Sequence, residues 1–462
     1  MNSFYADNSD PTFGLNRRVG EILDALVVPA DERAFGVAVS GGSDSTALLA
    51  LCADWARLRG SRVYAVTLDH GLRSEAAEEA RQVGAFARRL GVPHTILEWR
   101  PEGAVSQASA REARHRYLAT WAADAGVSHL ALGHTADDRI ETLLIRARAG
   151  SGWYGLAAPQ PVSASPIWPE GRDLRLIRPL LSVSRADLRR YLSSSGMSWI
   201  EDPTNDDASY ERVRMRQLAS VLSDAGRCAA LKAADRLMHL RAARTAQLRQ
   251  LSQTAVDWRV DGSAVLDLAR CDEVLPETRF RLLQNLLLAV SGEAVPPPLT
   301  AVDALIARLE RDRSATLGGA WLERLGDDLD IVRAPRGGAR TPTAPEISAM
   351  TLNPGDAKVW DGRFHLTSSP NETPRSVLSY DDAQRAGMTL IGGGEVAHRM
   401  RRTLPVLVAE GVGHVAGLQA AETPANAGFF ARALHRDRIE SLLTDPRADL
   451  LTQIGRDNLV QD

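Results

Sequence analysis

The sequence predicts an α/β protein: a doubly wound parallel sheet, followed by a helical linker and smaller α/β or α+β C-terminal domains. Short apolar runs alternate with segments of helical periodicity in the first part of the chain, which favours a parallel sheet covered on both faces. The pattern changes after Leu218, where long helical segments replace the alternation. A chain of 462 residues has room for about two to four domains. We place these domains at residues 1–217, 218–333 and 346–462.

The individual elements follow from the spacing of apolar residues. Apolar residues that recur every three or four positions predict helices, and short continuous apolar runs predict buried strands. The predicted helices cover residues 15–26, 46–53, 74–90 and 107–121, and a further helix contains Asp138 and Glu141 and continues to Ala147. The predicted strands between them cover residues 35–39, 63–68, 94–99 and 129–133. Later in the chain, residues 334–345 are rich in Pro, Gly and Ala and predict a linker, and residues 359–364 and 404–408 predict short strands.

The first strand runs into a Ser/Gly turn and then a helix, with the sequence Ser-Gly-Gly-Ser-Asp-Ser at residues 40–45. Such a turn offers unpaired backbone N–H groups and hydroxyls at the positive end of a helix dipole, which suits an anion. Gly41 and Gly42 allow the backbone to approach a phosphate closely. No Gly-Lys-Ser/Thr follows, so a Walker A loop is excluded. The turn resembles the pyrophosphate loop of N-type ATP pyrophosphatases, and we expect it to bind ATP.

Polar residues also follow the second and fourth predicted strands. Asp69 and His70 end the second strand, and His134 follows the fourth. Asp138 and Glu141 lie three residues apart on one face of the next helix, where they could hold Mg²⁺ or a cationic group. A solvated helix N-terminus and a structural histidine are the plain alternatives. Because the carboxyl ends of parallel strands share one edge of the sheet, we favour a site.

Together these motifs resemble the tRNA(Ile)-lysidine synthases. The order is Ser-Gly-Gly-Ser-Asp-Ser, Asp-His-Gly-Leu-Arg, Ala-Arg-x-x-Arg and Gly-His-x-x-Asp-Asp-x-x-Glu-Thr. The resemblance continues through a Gly-rich turn at residues 150–156, Arg178-Pro-Leu, Glu-Asp-Pro-Thr-Asn at residues 201–205, and a stretch that begins at Tyr210. It is close over roughly the first half of the chain and weaker beyond, where it indicates the long form of the family. Three residues depart from the family pattern: His115, Ala158 and Val213.

The resemblance implies an ATP-dependent ligase that adenylates the wobble cytidine of tRNA(Ile) with a CAU anticodon. Free L-lysine then displaces AMP at C2 of the base. The implied cofactors are ATP and Mg²⁺. The first domain would be the ATP-binding catalytic domain of the PP-loop, Rossmann-like class, and the later domains would bind tRNA.

The implied site residues fall into groups by role. Nucleotide binding is assigned to Ser40, Gly41, Gly42, Ser43, Asp44, Ser45, Asp69 and His70. Catalysis is assigned to Asp44, His134, Asp138, Glu141 and Arg212, with Asp44 and Asp138 as candidate ligands of Mg²⁺. Substrate contacts are assigned to Arg111, Arg114, Asp137, Arg178 and Arg216. The sequence leaves open whether Asp138 and Glu141 bind Mg²⁺ or the lysine ammonium, and whether Arg111 and Arg114 are merely surface residues.

Composition limits the other possibilities. The formal net charge is −3, so contact with nucleic acid requires a local basic face. Residues 211–250 provide one, with nine basic residues against three acidic ones, although a solvated helix face would look the same. The polar N-terminus and the lack of a long apolar run predict a cytoplasmic protein without a membrane span. The oligomeric state stays open, although dimers are common in such folds.

The same residues argue against three other activities. A tRNA thiolase usually needs paired cysteines, whereas Cys52, Cys228 and Cys271 lie far apart. Amide-forming adenylating enzymes carry a glutaminase domain or different acidic motifs. A non-catalytic nucleotide- or tRNA-binding module would not need an intact loop together with His134 and both acids.

Overall fold

The computed structural model describes most of the chain as two compact units, one of residues up to 243 and one of residues 244–443. The described residues are 11–27, 34–71, 75–101, 105–157, 159–201, 209, 211–335, 348–392, 401–409, 412–415, 417–418 and 429–444. Several residues of the sequence analysis lie outside them: Leu72, Arg73, Ala158, Asp202 to Asn205, Tyr210 and most of the predicted linker. The predicted domain boundaries stay predictions.

The first unit contains the predicted parallel sheet. Its described strands are β1 (Ala34–Ala38), β2 (Arg62–Asp69), β3 (His94–Glu98), β4 (His129–Ala131), β5 (Val162–Ala164) and β6 (Arg175–Ile177). They form one sheet in the order β3-β2-β1-β4-β6-β5, in which only β5 is antiparallel to its neighbour. The described helices are α1 (Pro11–Leu26), α2 (Ser43–Arg59), α3 (Ala76–Arg89), α4 (Gln107–Asp124), α5 (Ala136–Arg148), α6 (Trp153–Leu156), α7 (Arg185–Ser194), α8 (Glu211–Ser220) and α9 (Asp224–Thr254), whose residues from 244 onward belong to the second unit.

Helices cover both faces of this sheet. Along β1 and β2, alternate residues enter two different apolar clusters: Val37 and Ala65 pack with α1, α2 and α7, whereas Val66 packs with α4. Side chains alternate across a strand, so a sheet buried on both faces needs continuous apolar strands. The doubly wound α/β fold predicted from the sequence is therefore confirmed.

The strand order places the ligand crevice. β1 pairs with β2 on one side and β4 on the other, so the chain reverses its direction of winding between β1 and β4. Open α/β sheets bind ligands at the carboxyl ends of the strands at such a switch point. Gly133, after β4, lies close to the start of α2: a Cβ there would be 3.1 Å from the Ser45 nitrogen. The loops that follow β1 and β4 therefore pack directly on each other.

The second unit is built from antiparallel and mixed sheets. Its first described sheet has the order β7-β8-β11-β10-β9 and packs against α10, α11 and α12. These elements are β7 (Val256–Trp258), β8 (Ala264–Asp267), α10 (Leu268–Asp272), α11 (Pro276–Ser291), α12 (Leu299–Asp312), β9 (Ser314–Leu317), β10 (Ala320–Leu325) and β11 (Asp328–Arg333).

The rest of the second unit forms two further sheets, in the orders β12-β15-β17-β18-β16 and β13-β14-β20-β19. The elements are β12 (Met350–Leu352), β13 (Ala357–Trp360), β14 (Phe364–Ser368), β15 (Arg375–Ser379), α13 (Tyr380–Arg385), β16 (Thr389–Ile391), β17 (Pro405–Ala409), β18 (Val412–Val415), β19 (Gly417–Leu418), β20 (Phe429–Ala433) and α14 (His435–Leu442). The strand predicted at residues 404–408 corresponds to β17, whereas residues 359–364 span the end of β13, a turn and the start of β14. Across the described part of the chain, no helix combines the length and apolar character needed to cross a membrane.

Candidate active site

The turn between β1 and α2 is held in place by its own hydroxyl groups. Ser45 Oγ accepts a hydrogen bond from the Ser40 backbone N–H at 3.1 Å and donates to the Gly42 carbonyl at 3.1 Å. Thr46 Oγ1 donates to the Gly41 carbonyl at 3.0 Å. Gly41 has φ +88°, and a Cβ there would come within 2.6 Å of the Ile200 side chain, so only glycine fits.

The start of α2 is left open to a ligand. Its N-cap residue is Gly42, which has no side chain to accept from the first N–H groups of the helix. These N–H groups and the positive end of the dipole therefore face the cleft, as the sequence predicted for an anion site.

The two carboxylate oxygens of Asp138, on α5, have different partners: one caps the helix and the other accepts from arginines that line the cleft. Its Oδ2 accepts from the backbone N–H of the N-cap residue Thr135 at 2.7 Å, and Thr135 Oγ1 accepts from the Asp138 N–H, which makes a capping box. Its Oδ1 accepts from Arg212 at 2.5 Å and from Arg185 at 3.4 Å. Burial alone would raise the pKa of Asp138, but neighbouring charges, above all that of Arg212 and also that of Arg185, outweigh it and hold the pKa below its usual value.

Glu141 is fully buried and pairs only with arginines among the described residues. Its Oε1 accepts from Arg216 at 3.0 Å and from Arg185 at 3.3 Å, and its Oε2 accepts from Arg212 at 3.0 Å. The Glu141 side chain is 1% exposed, whereas Arg212 is 45% exposed. The acid therefore lies inside, and the arginines of α7 and α8 cover it from the cleft.

The residue that links these acids to the loop is Arg185, which the sequence analysis did not single out. Its Nε donates to Asp44 Oδ2 at 3.0 Å, and its two terminal nitrogens reach Asp138 and Glu141. Burial opposes its charge, but Asp44 and the other two acids raise the pKa of Arg185 above its usual value. For Asp44 the effect of burial is the larger one: burial raises its pKa, and the charge of Arg185 opposes that rise only in part.

His134, after β4, is neutral and oriented by Arg178. Arg178 Nε donates to His134 Nδ1 at 3.1 Å, and its Nη1 donates to the Gln160 carbonyl at 2.8 Å. Burial first, and the charge of Arg178 second, lower the pKa of His134 to about 3. Arginine has no acceptor, so Nδ1 must accept and the proton of the neutral ring lies on Nε2. His134 can therefore donate a hydrogen bond to an anionic oxygen.

Two arginines of α4 provide positive charge without an acidic partner. Arg111 and Arg114 line the cleft, and neither makes a hydrogen bond or ion pair with any residue that the structure describes. Burial, followed by the charges of neighbouring arginines, lowers the pKa of Arg114. Positive charges that repel one another in a cleft are stabilised by an anionic ligand.

The cleft has a volume of about 810 Å³, and the structure brings most of the predicted site residues to its wall. These are Ser40, Gly42, Ser43, Asp44, Ser45, His70, Arg111, Arg114, His134, Asp138, Arg178, Arg212 and Arg216. Beside the loop lies a smaller cavity of about 330 Å³ with an apolar wall that includes Ala38, Val66 and Leu118.

Four predicted residues lie elsewhere. Gly41 lies in the turn next to Ile200 and does not line the main cleft. Asp69 accepts from the Gly71 N–H at 2.9 Å and from Arg100 at 3.1 Å, which fixes the turn after β2. Asp137 and Glu141 face a second cavity of about 280 Å³, which Arg185, Arg189, Arg216 and Arg227 also line. Of the residues that depart from the family pattern, His115 lines the main cleft and Val213 is buried in α8.

A protein cage for a metal ion is absent from the described residues, since no group of three His, Cys, Asp or Glu side chains could hold one. Asp44 already accepts from Ser43 Oγ and Arg185 Nε, both at 3.0 Å. Magnesium often takes only one or two carboxylates and completes its shell with phosphate oxygens and water. The oxygen donors of Asp44 and Asp138 fit that kind of site.

The fold and the loop define a PP-loop protein, and residues 15–222 match the family model described as the PP-loop domain. The tRNA(Ile)-lysidine synthase of Hyphomonas neptunium is 43% identical over 288 residues, which cover 62% of this chain and 77% of that protein. The same enzyme of Caulobacter vibrioides is 33% identical and covers 85% of this chain and 88% of its own length. The chain belongs to the tRNA(Ile)-lysidine synthase family. It is therefore a tRNA-modifying ligase that uses ATP, and the family resemblance found in the sequence is confirmed.

Proposed function

We propose that the protein adenylates C2–O of the wobble cytidine in tRNA(Ile) with a CAU anticodon, and then attaches free L-lysine at C2. The observation that carries this proposal is the division of charge within one cleft. A helix N-terminus and unpaired arginines line one part of it, where phosphates can bind. Carboxylates line the other part and the adjoining second cavity, where an amine can bind.

The first step needs ATP held with its α-phosphate facing the cytidine oxygen. The backbone of residues 40–45 and the hydroxyls of Ser40 and Ser43 lie at the start of α2 to hold the phosphates. The cavity beside the loop, whose wall includes Ala38, Val66 and Leu118, suits the base. As C2–O attacks the α-phosphorus, pyrophosphate leaves; Arg114 and the Nε2–H of His134 stabilise the added negative charge. Mg²⁺, held by Asp44 and Asp138 with the phosphates, would supply further charge stabilisation.

The second step needs a lysine ε-amine without its proton. Asp138 lines the main cleft and Glu141 lines the second cavity, so an ammonium bound between the two would be attracted by both charges, and their oxygens can accept its proton. The free amine then bonds to C2, and AMP leaves with its oxygen. The second cavity carries both signs of charge, from Asp137 and from Arg189 and Arg227, which suits the ammonium and carboxylate of a free amino acid.

The base must leave its stack to reach this cleft. Helices α8 and α9 provide the basic residues that could hold the tRNA backbone near the site, and such contacts fix position rather than sequence. The cysteines favour lysine over sulfur chemistry, because none lines the cleft among the described residues: Cys52 is buried in α2 and Cys228 lies on α9.

The test is a reconstituted reaction with ATP, Mg²⁺ and a tRNA(Ile) transcript, assayed for pyrophosphate, AMP and labelled lysine in the tRNA. We expect AMP release to depend on both tRNA and lysine. A transcript with uridine in place of the wobble cytidine is the matched control and should give no product. AMP release that needs ammonia or sulfide instead of lysine would contradict the proposal.

A further inference from the structure

Arg185 lies between the main cleft and the second cavity, which contains Asp137 and Glu141. Its side chain lines both the main cleft and the second cavity, and it meets a different acid with each of its three nitrogens. It is the first residue of α7, where the helix dipole disfavours a positive charge. Its position therefore depends on the acids that it touches.

The backbone of Arg185 is fixed more firmly than its side chain. The backbone N–H donates to Asp137 Oδ2 at 2.7 Å, and Ser184 caps the helix. The side-chain contacts measure 3.0, 3.3 and 3.4 Å, longer than the 2.5 Å contact between Arg212 and Asp138. The guanidinium is thus spread over three acids, each of which has a further partner, so one substrate cation can replace it.

The charges around the guanidinium are close to balance. Asp44, Asp137, Asp138 and Glu141 face it from α2 and α5, and Arg189, Arg212, Arg216 and Arg227 surround them from α7, α8 and α9. These four acids and four arginines balance, so Arg185 gives this group of residues one excess positive charge. A second cation would add to that excess, whereas loss of Arg185 would remove a positive charge from beside the bound phosphates. Arg185 and a substrate ammonium therefore compete for the same oxygens.

We propose that Arg185 is a positioning and gating residue. Its guanidinium occupies the pocket formed by Asp44, Asp138 and Glu141 until the amine substrate displaces it. This inference rests on the function proposed above. While it occupies the pocket, Arg185 ties Asp44 of the loop to α5 and screens bound ATP from the acids. When lysine enters through the second cavity, the ammonium takes over its contacts with Asp138 and Glu141.

The test compares Arg185→Gln, Arg185→Lys and the control Arg190→Gln in steady-state assays with tRNA, ATP and lysine. Arg190 lies on the same helix, is 64% exposed and pairs only with Asp187 among the described residues. Arg185→Gln should lower the KM for lysine about tenfold because its competitor is gone. It should raise the KM for ATP by about the same factor because the acids are no longer screened.

Arg185→Lys keeps the charge and should return both KM values toward those of the wild type, and Arg190→Gln should match the wild type throughout. A purely structural role would raise both KM values together, and that result would overturn the inference. If the wild-type protein itself forms no AMP in response to lysine, the proposed function fails. If it does form AMP but the two KM values do not separate, only the role of Arg185 fails.

Discussion

Acid–arginine clusters occur in both units of the molecule, and they are built in opposite ways. In the first unit, Asp138 and Glu141 are 7% and 1% exposed, and arginines that are up to 45% exposed cover them. In the second unit, the arginines themselves are buried: Arg333 and Arg363 are 2% and 3% exposed. The contacts to carboxylates have similar lengths in both places.

In the second cluster, backbone carbonyls also accept hydrogen bonds from the arginines. Arg363 donates to Asp361 at 2.7 Å and to the Thr403 carbonyl at 2.6 Å, and Arg333 donates to the Gly319 carbonyl and to Glu293. A buried guanidinium that is held by carboxylates and backbone carbonyls inside the protein is not available to a ligand. A buried carboxylate that is covered by partly exposed arginines can bind a substrate cation in place of one of them. We infer that the direction of burial, rather than the number of ion pairs, distinguishes the site from the structural network.

The sharpest test of this comparison is Glu141→Gln. The amide cannot accept the amine proton or attract the ammonium, so we expect lysine incorporation to fall by about a thousandfold, within the range for a lost general base. Glu211→Gln on α8 is the control, because Glu211 makes only an exposed contact with Arg148 at 3.4 Å. Thermal unfolding should be similar for both variants. If Glu141→Gln keeps full activity, the buried acid has no role in the chemistry.

The matching change in the second unit is Asp361→Asn. Asp361 has φ +52°, which asparagine tolerates, so the backbone should keep its conformation. The change removes the carboxylate shared by Arg333 and Arg363 and leaves buried positive charge, which should lower the free energy of unfolding by about 3 kcal/mol. Urea denaturation measures this loss.

The affinity of Asp361→Asn for ATP should be that of the wild type. Glu372→Gln is the control, since its 3.7 Å contact with Arg375 is long and partly exposed, and should cost less than about 1 kcal/mol. Equal losses in both variants would show that the buried network is no more stabilising than a surface pair.

Much of this arrangement could be predicted from the sequence because it depends on local order. The alternation of strands and helices fixed the sheet, and polar residues after β1 and β4 had to meet at one edge. The spacing of Asp138 and Glu141 placed both on one face of α5. Asp69 shows the limit, because a polar residue at a strand end can equally well hold its own turn.

Arg185 could not be found from spacing, because the acids that it contacts are distant in the sequence. Asp44 is separated from it by 141 positions and Glu141 by 44 positions. One local signal did exist. An arginine directly after the N-cap Ser184 opposes the helix dipole, which indicates that an acid outside the helix compensates it. The direction of burial in the two clusters has no such signal, because it depends on which elements cover each side chain.

Two buried histidines extend the comparison to pH. Burial is the main cause that lowers the pKa of His134 to about 3 and that of His435, in the second unit, to about 4. Below pH 6.5 the unfolded chain binds protons at these residues that the folded chain does not, so stability falls as the pH drops from 6.5 toward these values.

His134→Gln and His435→Gln should each reduce this loss, by about 1 kcal/mol per pH unit at most. Urea denaturation at pH 5 and 7.5 measures the difference. Only His134→Gln should also slow AMP release at pH 7.5, because His134 lines the cleft and His435 does not. Equal slowing by both variants would refute the role of His134 as a hydrogen-bond donor in the cleft.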